Sequence, residues 1–201
     1  MDTKNTPYTK GFLEDYAYYT AALLSLYQAT SLPEYLIRAE QICQEAQRQF
    51  EDTHSGGYFL YGLENNTLIT KPKETYDGAL PSGNSVMAYC LVQLFHITGK
   101  DTYQTSAEKQ LLFLSSEAKF YPTGYSMFFT AFLLYFYPFE KITVVLSETD
   151  SKETIFPSLP LYAEIKILSS PTKEYPLLND KTTYYICKNH TCMPPTNVFT
   201  S

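Results

Sequence analysis

Apolar residues recur at helical spacing between Gly11 and Thr30, where Leu13, Tyr16, Ala17, Leu23, Leu24 and Tyr27 share one side, and that period predicts a helix. Leu32-Pro33 restarts the pattern, since Pro is favoured in a first helical turn. Tyr35, Leu36, Ala39, Ile42, Cys43, Ala46 and Phe50 form one stripe opposite Glu34, Arg38, Glu45 and Arg48, so the second helix has a wet face. A third helix is predicted over Asn84–Thr98, apolar almost all round until Gly99 stops it, and such a helix is buried on most sides. Thr102–Ser116 is again two-faced, with Tyr103, Ala107, Leu111 and Leu114 opposite Glu108, Lys109 and Gln110, whereas Ser126–Tyr137 is apolar throughout. The first, third and fifth helices are thus apolar round much of their circumference while the second and fourth keep a polar face. Concentric inner and outer rings of helices require that alternation.

The helical period breaks twice. Between Asp52 and Ser82, His54–Gly62 and Thr67–Thr70 read as two short strands, followed by the turn-rich Lys71-Pro-Lys and Asp77-Gly-Ala-Leu-Pro-Ser-Gly. A long connection without helix is commonly functional. After Pro138 the composition changes to three β-type runs, Lys141–Ser147, Ala163–Leu168 and Thr182–Cys187. The expected division is a helical part, 1–138, and a small β-containing appendage, 139–201.

Composition narrows the function classes. With 44% apolar residues in 201, the chain is globular, and 21 acidic against 15 basic residues leave a net charge of −6, a field that does not collect nucleic acid. The stretch Met1–Pro7 has no secretory or transit pattern, and the longest apolar run, Met127–Phe139, is about half the length a membrane span needs. A cytoplasmic protein without a membrane partner is the expectation. Nineteen Tyr, thirteen Phe and no Trp suit apolar surfaces that carry hydroxyls, whether buried walls or carbohydrate sites. The four Cys are too sparse for a disulfide scaffold, so free thiols are the default. Cys187-Lys-Asn-His-Thr-Cys192 offers three soft ligands, but zinc wants a fourth; a disulfide or a plain turn is the reading, and no metal is expected. The chain has no Cys-x-x-Cys, Walker or dinucleotide glycine pattern. No cofactor is expected.

Three stretches taken together carry a resemblance: Gly11-Phe-Leu-Glu-Asp-Tyr-Ala-Tyr, Lys71-Pro-Lys-Glu-Thr-Tyr-Asp-Gly-Ala-Leu-Pro-Ser-Gly-Asn-Ser and Tyr184-Tyr-Ile-Cys-Lys-Asn-His-Thr-Cys-Met-Pro-Pro. In this order they resemble the C-terminal part of the thioredoxin-domain-containing family of spermatogenesis-associated protein 20. The resemblance implies a long protein in which a thioredoxin-like domain precedes an (α/α)6 barrel, similar to N-acylglucosamine 2-epimerases and six-hairpin glycosidases. On that reading the chain is mainly α, a partial (α/α)6 barrel with a small C-terminal β appendage. It would be a fragment or split product that pairs with the N-terminal half of the barrel or with itself. Lys71 stands where relatives commonly have Arg, and Glu14 where they often have Asp, so a guanidinium fork becomes a point charge.

In such barrels the loops entering the inner helices build the site. Asp15 and Asp77 are the candidate catalytic carboxylates, since two carboxyl groups roughly 5–9 Å apart support acid and base chemistry on sugars. Tyr16, Lys73, Ser82 and Asn84 are the candidate ligand-binding residues, with Lys73 placed to pair with Asp77 or an anionic ligand. Structural alternatives stand beside each of these. Ser82, Asn84 or Ser85 could cap the third helix, Gly78 and Gly83 could supply special backbone conformations, and Glu14 and Asp15 could simply complement a helix dipole. His54 reads as an exposed turn residue and His96 as a core histidine. A carbohydrate-type small molecule is the expected ligand, and a non-catalytic binding or scaffold module is the alternative.

Overall fold

The structure is a computed structural model that describes residues 11–62, 71–137, 140–160, 163–188 and 191–199. Two compact units divide the chain, Met1–Tyr135 and Phe136–Ser201. In the first, helices α1 (Leu13–Thr30), α2 (Pro33–Phe50), α3 (Gly83–Thr98), α4 (Asp101–Ala118) and α5 (Ser126–Phe136) follow one another. α1 packs on α2 and α3, and α4 packs on α3. Residues from all five helices enter one core, with Phe50, Phe128, Leu13, Leu24, Met87, Leu91 and Leu94 among its largest fully buried side chains.

The ends of these helices follow local chemistry. Ser31 and Gly99 adopt left-handed conformations that close α1 and α3, and each donates its N–H to a carbonyl of the last turn. Ser82 caps α3, its side-chain oxygen accepting the Ser85 N–H at 3.2 Å. Phe12 has no capping side chain, and Asp15 reaches back instead to accept the Phe12 N–H at 2.8 Å, the acidic half of a capping box.

The expected strand over His54–Gly62 does not form. Asp52 Oδ1 accepts the N–H groups of His54 and Ser55 at 2.9 and 3.2 Å, and this local competitor turns the chain. Gly56 and Gly57 follow with φ of +77° and +74°, and one bridge, Glu51 with Tyr58, takes the place of a ladder. A Cβ on Gly57 would come within 2.3 Å of the Phe113 ring. The expected strand at Thr67–Thr70 lies outside the described residues. Gly78 and Gly83 are not among the positive-φ glycines; Gly83 is closely packed, since a Cβ there would lie 3.0 Å from the Leu13 side chain, which would have to shift by a few tenths of an ångström.

The second unit is a four-stranded sheet in the order β2-β1-β3-β4. β1 (Glu140–Val145) pairs in parallel with β2 (Glu164–Leu168) and antiparallel with β3 (Thr183–Lys188), so that Ile142 faces both Ile165 and Ile186. The parallel pair needs a crossover, and the segment between the strands includes a one-turn helix, α6 (Lys152–Ile155). Ile142, Val144, Leu146, Leu159, Tyr184 and Ile186 form this unit's own core. The fourth strand, β4 (Thr191–Cys192), is two residues long and leaves no periodicity to read. It places Cys192 opposite Cys187, and the two form a disulfide, so the free-thiol default holds only for the buried Cys43 and Cys90. Among the described residues no helix is long and apolar enough to cross a membrane.

Candidate functional site

The strap that precedes α3 is the organising element. From Lys71 to Asp77 the side chains alternate, with Pro72, Glu74 and Tyr76 exposed and Lys71, Lys73, Thr75 and Asp77 partly or fully buried, the two-residue period of extended backbone. Asn84 in the first turn of α3 holds the strap from inside. Its Nδ2 donates to the carbonyls of Glu74 and Tyr58 at 2.8 and 2.9 Å, while its Oδ1 accepts the Tyr58 N–H at 2.8 Å and the Gln110 amide at 3.1 Å. Those four bonds use both donors and both lone pairs of the amide. Asn84, expected as a ligand-binding residue, is fully engaged within the fold.

Asp77 is engaged in the same way. Oδ1 accepts the Ser82 N–H at 2.9 Å and the Ser82 hydroxyl at 3.2 Å, and Oδ2 accepts the N–H groups of Met127 and Phe128 at 2.8 and 3.3 Å. Met127 and Phe128 begin α5, whose free N–H groups and dipole favour a carboxylate. One buried side chain therefore ties the cap of α3 to the start of α5. The Asp77 N–H also donates to Gly124 O at 2.7 Å.

The expected Lys73–Asp77 pairing is corrected. Lys73 Nζ donates to Asp52 Oδ2 at 2.7 Å and Gly56 O at 2.6 Å, and lies 5.0 and 5.2 Å from the ring centres of Phe59 and Phe113. The alternation of the strap sends Lys73 toward this turn. The ammonium, with the His54 and Ser55 N–H groups, holds the Asp52 carboxyl down at about 2. Tyr16 lies in the contact of α1 with α2, its ring edge-on to Phe50 at 5.2 Å and its hydroxyl accepting from Gln49 at 3.2 Å.

The outer face of the strap borders a cleft of about 570 Å³ lined by Glu14, Asp15, Tyr18, Glu74, Tyr76, Leu80, Pro81 and Ser82. Of the candidates from sequence, it gathers Asp15 and Ser82; Asp77, Asn84, Tyr16 and Lys73 are not among its lining residues. Burial, then the neighbouring charges of Glu74 and Asp15, push the Glu14 carboxyl above its ordinary value. Tyr18 donates its hydroxyl to Pro81 O at 2.7 Å, and burial with the Glu14 charge raises its pKa. Tyr76 is 56% exposed and stacks on Tyr121 with ring centres 6.1 Å apart, an open aromatic surface at the cleft. Sequence reasoning missed Glu74 and Tyr76 and gave Glu14 only a dipole role. The alternation Glu74-Thr-Tyr-Asp77 is the signal that could have separated outward from inward residues. Among the described residues no group of three or more His, Cys, Asp or Glu is placed to hold a metal.

No protein-family model matches the chain. Spermatogenesis-associated protein 20 of Rattus norvegicus is 28% identical over 210 residues, covering 96% of this chain and 26% of that protein. Its Homo sapiens namesake is 28% identical over 202 residues, covering 92% and 26%, and that of Mus musculus is 38% identical over 97 residues, covering 48% and 12%. A crystal structure of D-mannose isomerase aligns with 55% of this chain and 27% of its own at 19% identity and a TM-score of 0.43, too distant a likeness to carry an argument. The chain spans about a quarter of the length of the rat and human relatives. Over most of its length it is a homologue of spermatogenesis-associated protein 20.

Proposed function

We propose that the cleft binds a small hydroxylated, carbohydrate-like molecule, and that Glu14 is the carboxyl that holds or delivers a proton there. The observation that carries this reading is the placement of Glu14 beside Glu74 and Asp15 at one cleft, with its proton held more tightly than an ordinary carboxyl holds it. Carboxylates accept hydroxyl hydrogens, and carboxyl groups gathered at one cleft are the residue type used for acid and base work on sugars. Tyr76 offers a flat apolar face with a polar edge, which suits a sugar ring. The acid role proposed here belongs to Glu14 rather than Asp77, whose oxygens are already occupied. The helical unit is read as part of an (α/α)6 barrel, supported by the contrast between the enclosed α3 and the polar outer faces of α2 and α4.

A second reading, binding without chemistry, is favoured by one fact. The two-carboxylate pair expected from sequence is not available, because Asp77 serves the fold. Calorimetric titration with neutral hexoses, N-acetylhexosamines and uronic acids tests the proposal. It expects a neutral sugar to bind, uronic acids to bind more weakly against the acidic lining, and Glu14→Gln to weaken binding about tenfold, the effect of one hydrogen bond. Conversion of the bound sugar, followed by NMR, separates catalysis from binding alone. Absence of binding across the panel, or binding indifferent to both Glu14→Gln and Glu74→Gln, overturns the proposal.

A further inference from the structure

The two edges of the small sheet are built differently. At one side β4 is two residues long, stapled to β3 by the Cys187–Cys192 disulfide and followed by Pro194-Pro195, which have no N–H to offer. Short length and proline close an edge to further strands. At the other side β2 runs for five residues and pairs only with β1 among the described residues. The Leu146 N–H donates to Leu168 O at 2.9 Å, so Leu168 turns its backbone groups toward β1. Alternation along the strand turns those of Glu164 and Lys166 the same way and those of Ile165 and Ile167 outward. Neither Ile165 nor Ile167 makes a backbone hydrogen bond at this open edge among the described residues. The edge also carries opposite charges two residues apart. Glu164 Oε1 lies 3.2 Å from Lys141 Nζ, while its Oε2 is buried with no hydrogen-bond partner. Lys166 is partly buried and forms no ion pair among the described residues.

We propose that β2 pairs antiparallel with β2 of a second copy of this chain, about a two-fold axis at Ile165. In that register the two Ile165 residues exchange both backbone hydrogen bonds, and the Ile167 N–H of each copy meets the Ala163 carbonyl of the other. Glu164 of each copy stands opposite Lys166 of the other, on the face that Lys141 shares, and opposite charges at facing positions attract. The Ile165 side chains meet on the other face, beside Ile142. A lysine in an edge strand ordinarily deters pairing; here it selects the register. Centring the pair on Lys166 or on Glu164 sets like charges against each other, and centring it on Ile167 sets Lys166 against Leu168. Charge complementarity therefore singles out the axis at Ile165, and it is the sequence of β2 itself that supplies both halves. A two-fold contact closes as a dimer, and a strand this short makes it a weak one. It is separate from any pairing of the helical units.

Sedimentation velocity of the full chain from micromolar to millimolar concentration tests this, with disulfide trapping to read the register. The expected result is a dimer whose dissociation constant rises about fivefold in Lys166→Gln and at least about tenfold in Lys166→Glu, because the second variant sets like charges opposite each other at both ends. Directly opposed residues of a hydrogen-bonded antiparallel pair have Cα atoms about 5.5 Å apart, within disulfide range. Ile165→Cys should therefore cross-link two copies under mild oxidation, and Lys173→Cys, at an exposed position outside β2, should not. A monomer at every concentration would overturn the proposal. So would a dimer that is indifferent to both Lys166 variants or that leaves Ile165→Cys uncrosslinked, since the contact would then lie elsewhere.

Discussion

The inner and outer faces of the strap 71–82 use the same residue types for opposite purposes. Inside, Asp77 and Asn84 spend every acceptor and donor on backbone and neighbouring side chains. Outside, Glu14 and Glu74 share a cleft, and Glu14 is raised by burial and by Glu74 and Asp15. A carboxylate whose oxygens are filled by N–H groups is architecture, whatever motif it belongs to. A carboxyl that crowds another at an open cleft is where ligand chemistry has room.

The sharpest way to break this comparison is to remove the inner anchor. Asn84→Ala strands the buried Tyr58 N–H and the carbonyls of Tyr58 and Glu74, and the loss of several buried partners predicts destabilisation of about 4 kcal/mol, measured by urea unfolding. Asp77→Ala comes next at about 3 kcal/mol, because four donors at the starts of α3 and α5 lose a charged acceptor. Asp77→Asn keeps one acceptor oxygen and loses about half as much. If Asp77→Asn leaves stability unchanged and abolishes sugar binding, the inner face is functional after all.

The Asp52–Lys73 pair sharpens the comparison through pH. The side chains are 13% and 16% exposed, and the folded Asp52 carboxyl lies at about 2 against an ordinary 3.8. The folded state therefore binds its proton less readily than the unfolded chain. The resulting stability, about 2 kcal/mol, is present above pH 3.8 and disappears as pH falls toward 2. Denaturation series between pH 5 and 2 should show Asp52→Asn losing that part of the acid dependence. A wild-type and variant that fall in parallel would contradict it.

Much of the fold was legible because the five long helices announce themselves by period and by their Pro, Ser and Gly boundaries. α2, with its wet stripe, and α3, apolar all round, are clear cases. What escaped was local competition. Asp52 captures two N–H groups and turns a segment whose Tyr-Phe-Leu-Tyr composition reads as strand, and β4 is too short to have a period at all. At the site, the motif drew attention to Asp77, Ser82 and Asn84, which are indeed clustered. Sequence does not say whether a polar side chain points toward a ligand or toward the fold, and here the starts of α3 and α5 supplied partners for Ser82 and Asp77, and Tyr58, Glu74 and Gln110 supplied them for Asn84.

The central claim is that the outer carboxyls, Glu14 foremost, form the chemically available group. The most direct measurement is the titration of the Glu14 side-chain carboxyl by carbon-detected NMR in the wild type and in Glu74→Gln. The account predicts a midpoint above the ordinary 4.5 in the wild type, moving down toward that value once the Glu74 charge is gone. A Glu14 midpoint at or below 4.5 that does not respond to Glu74→Gln would contradict it.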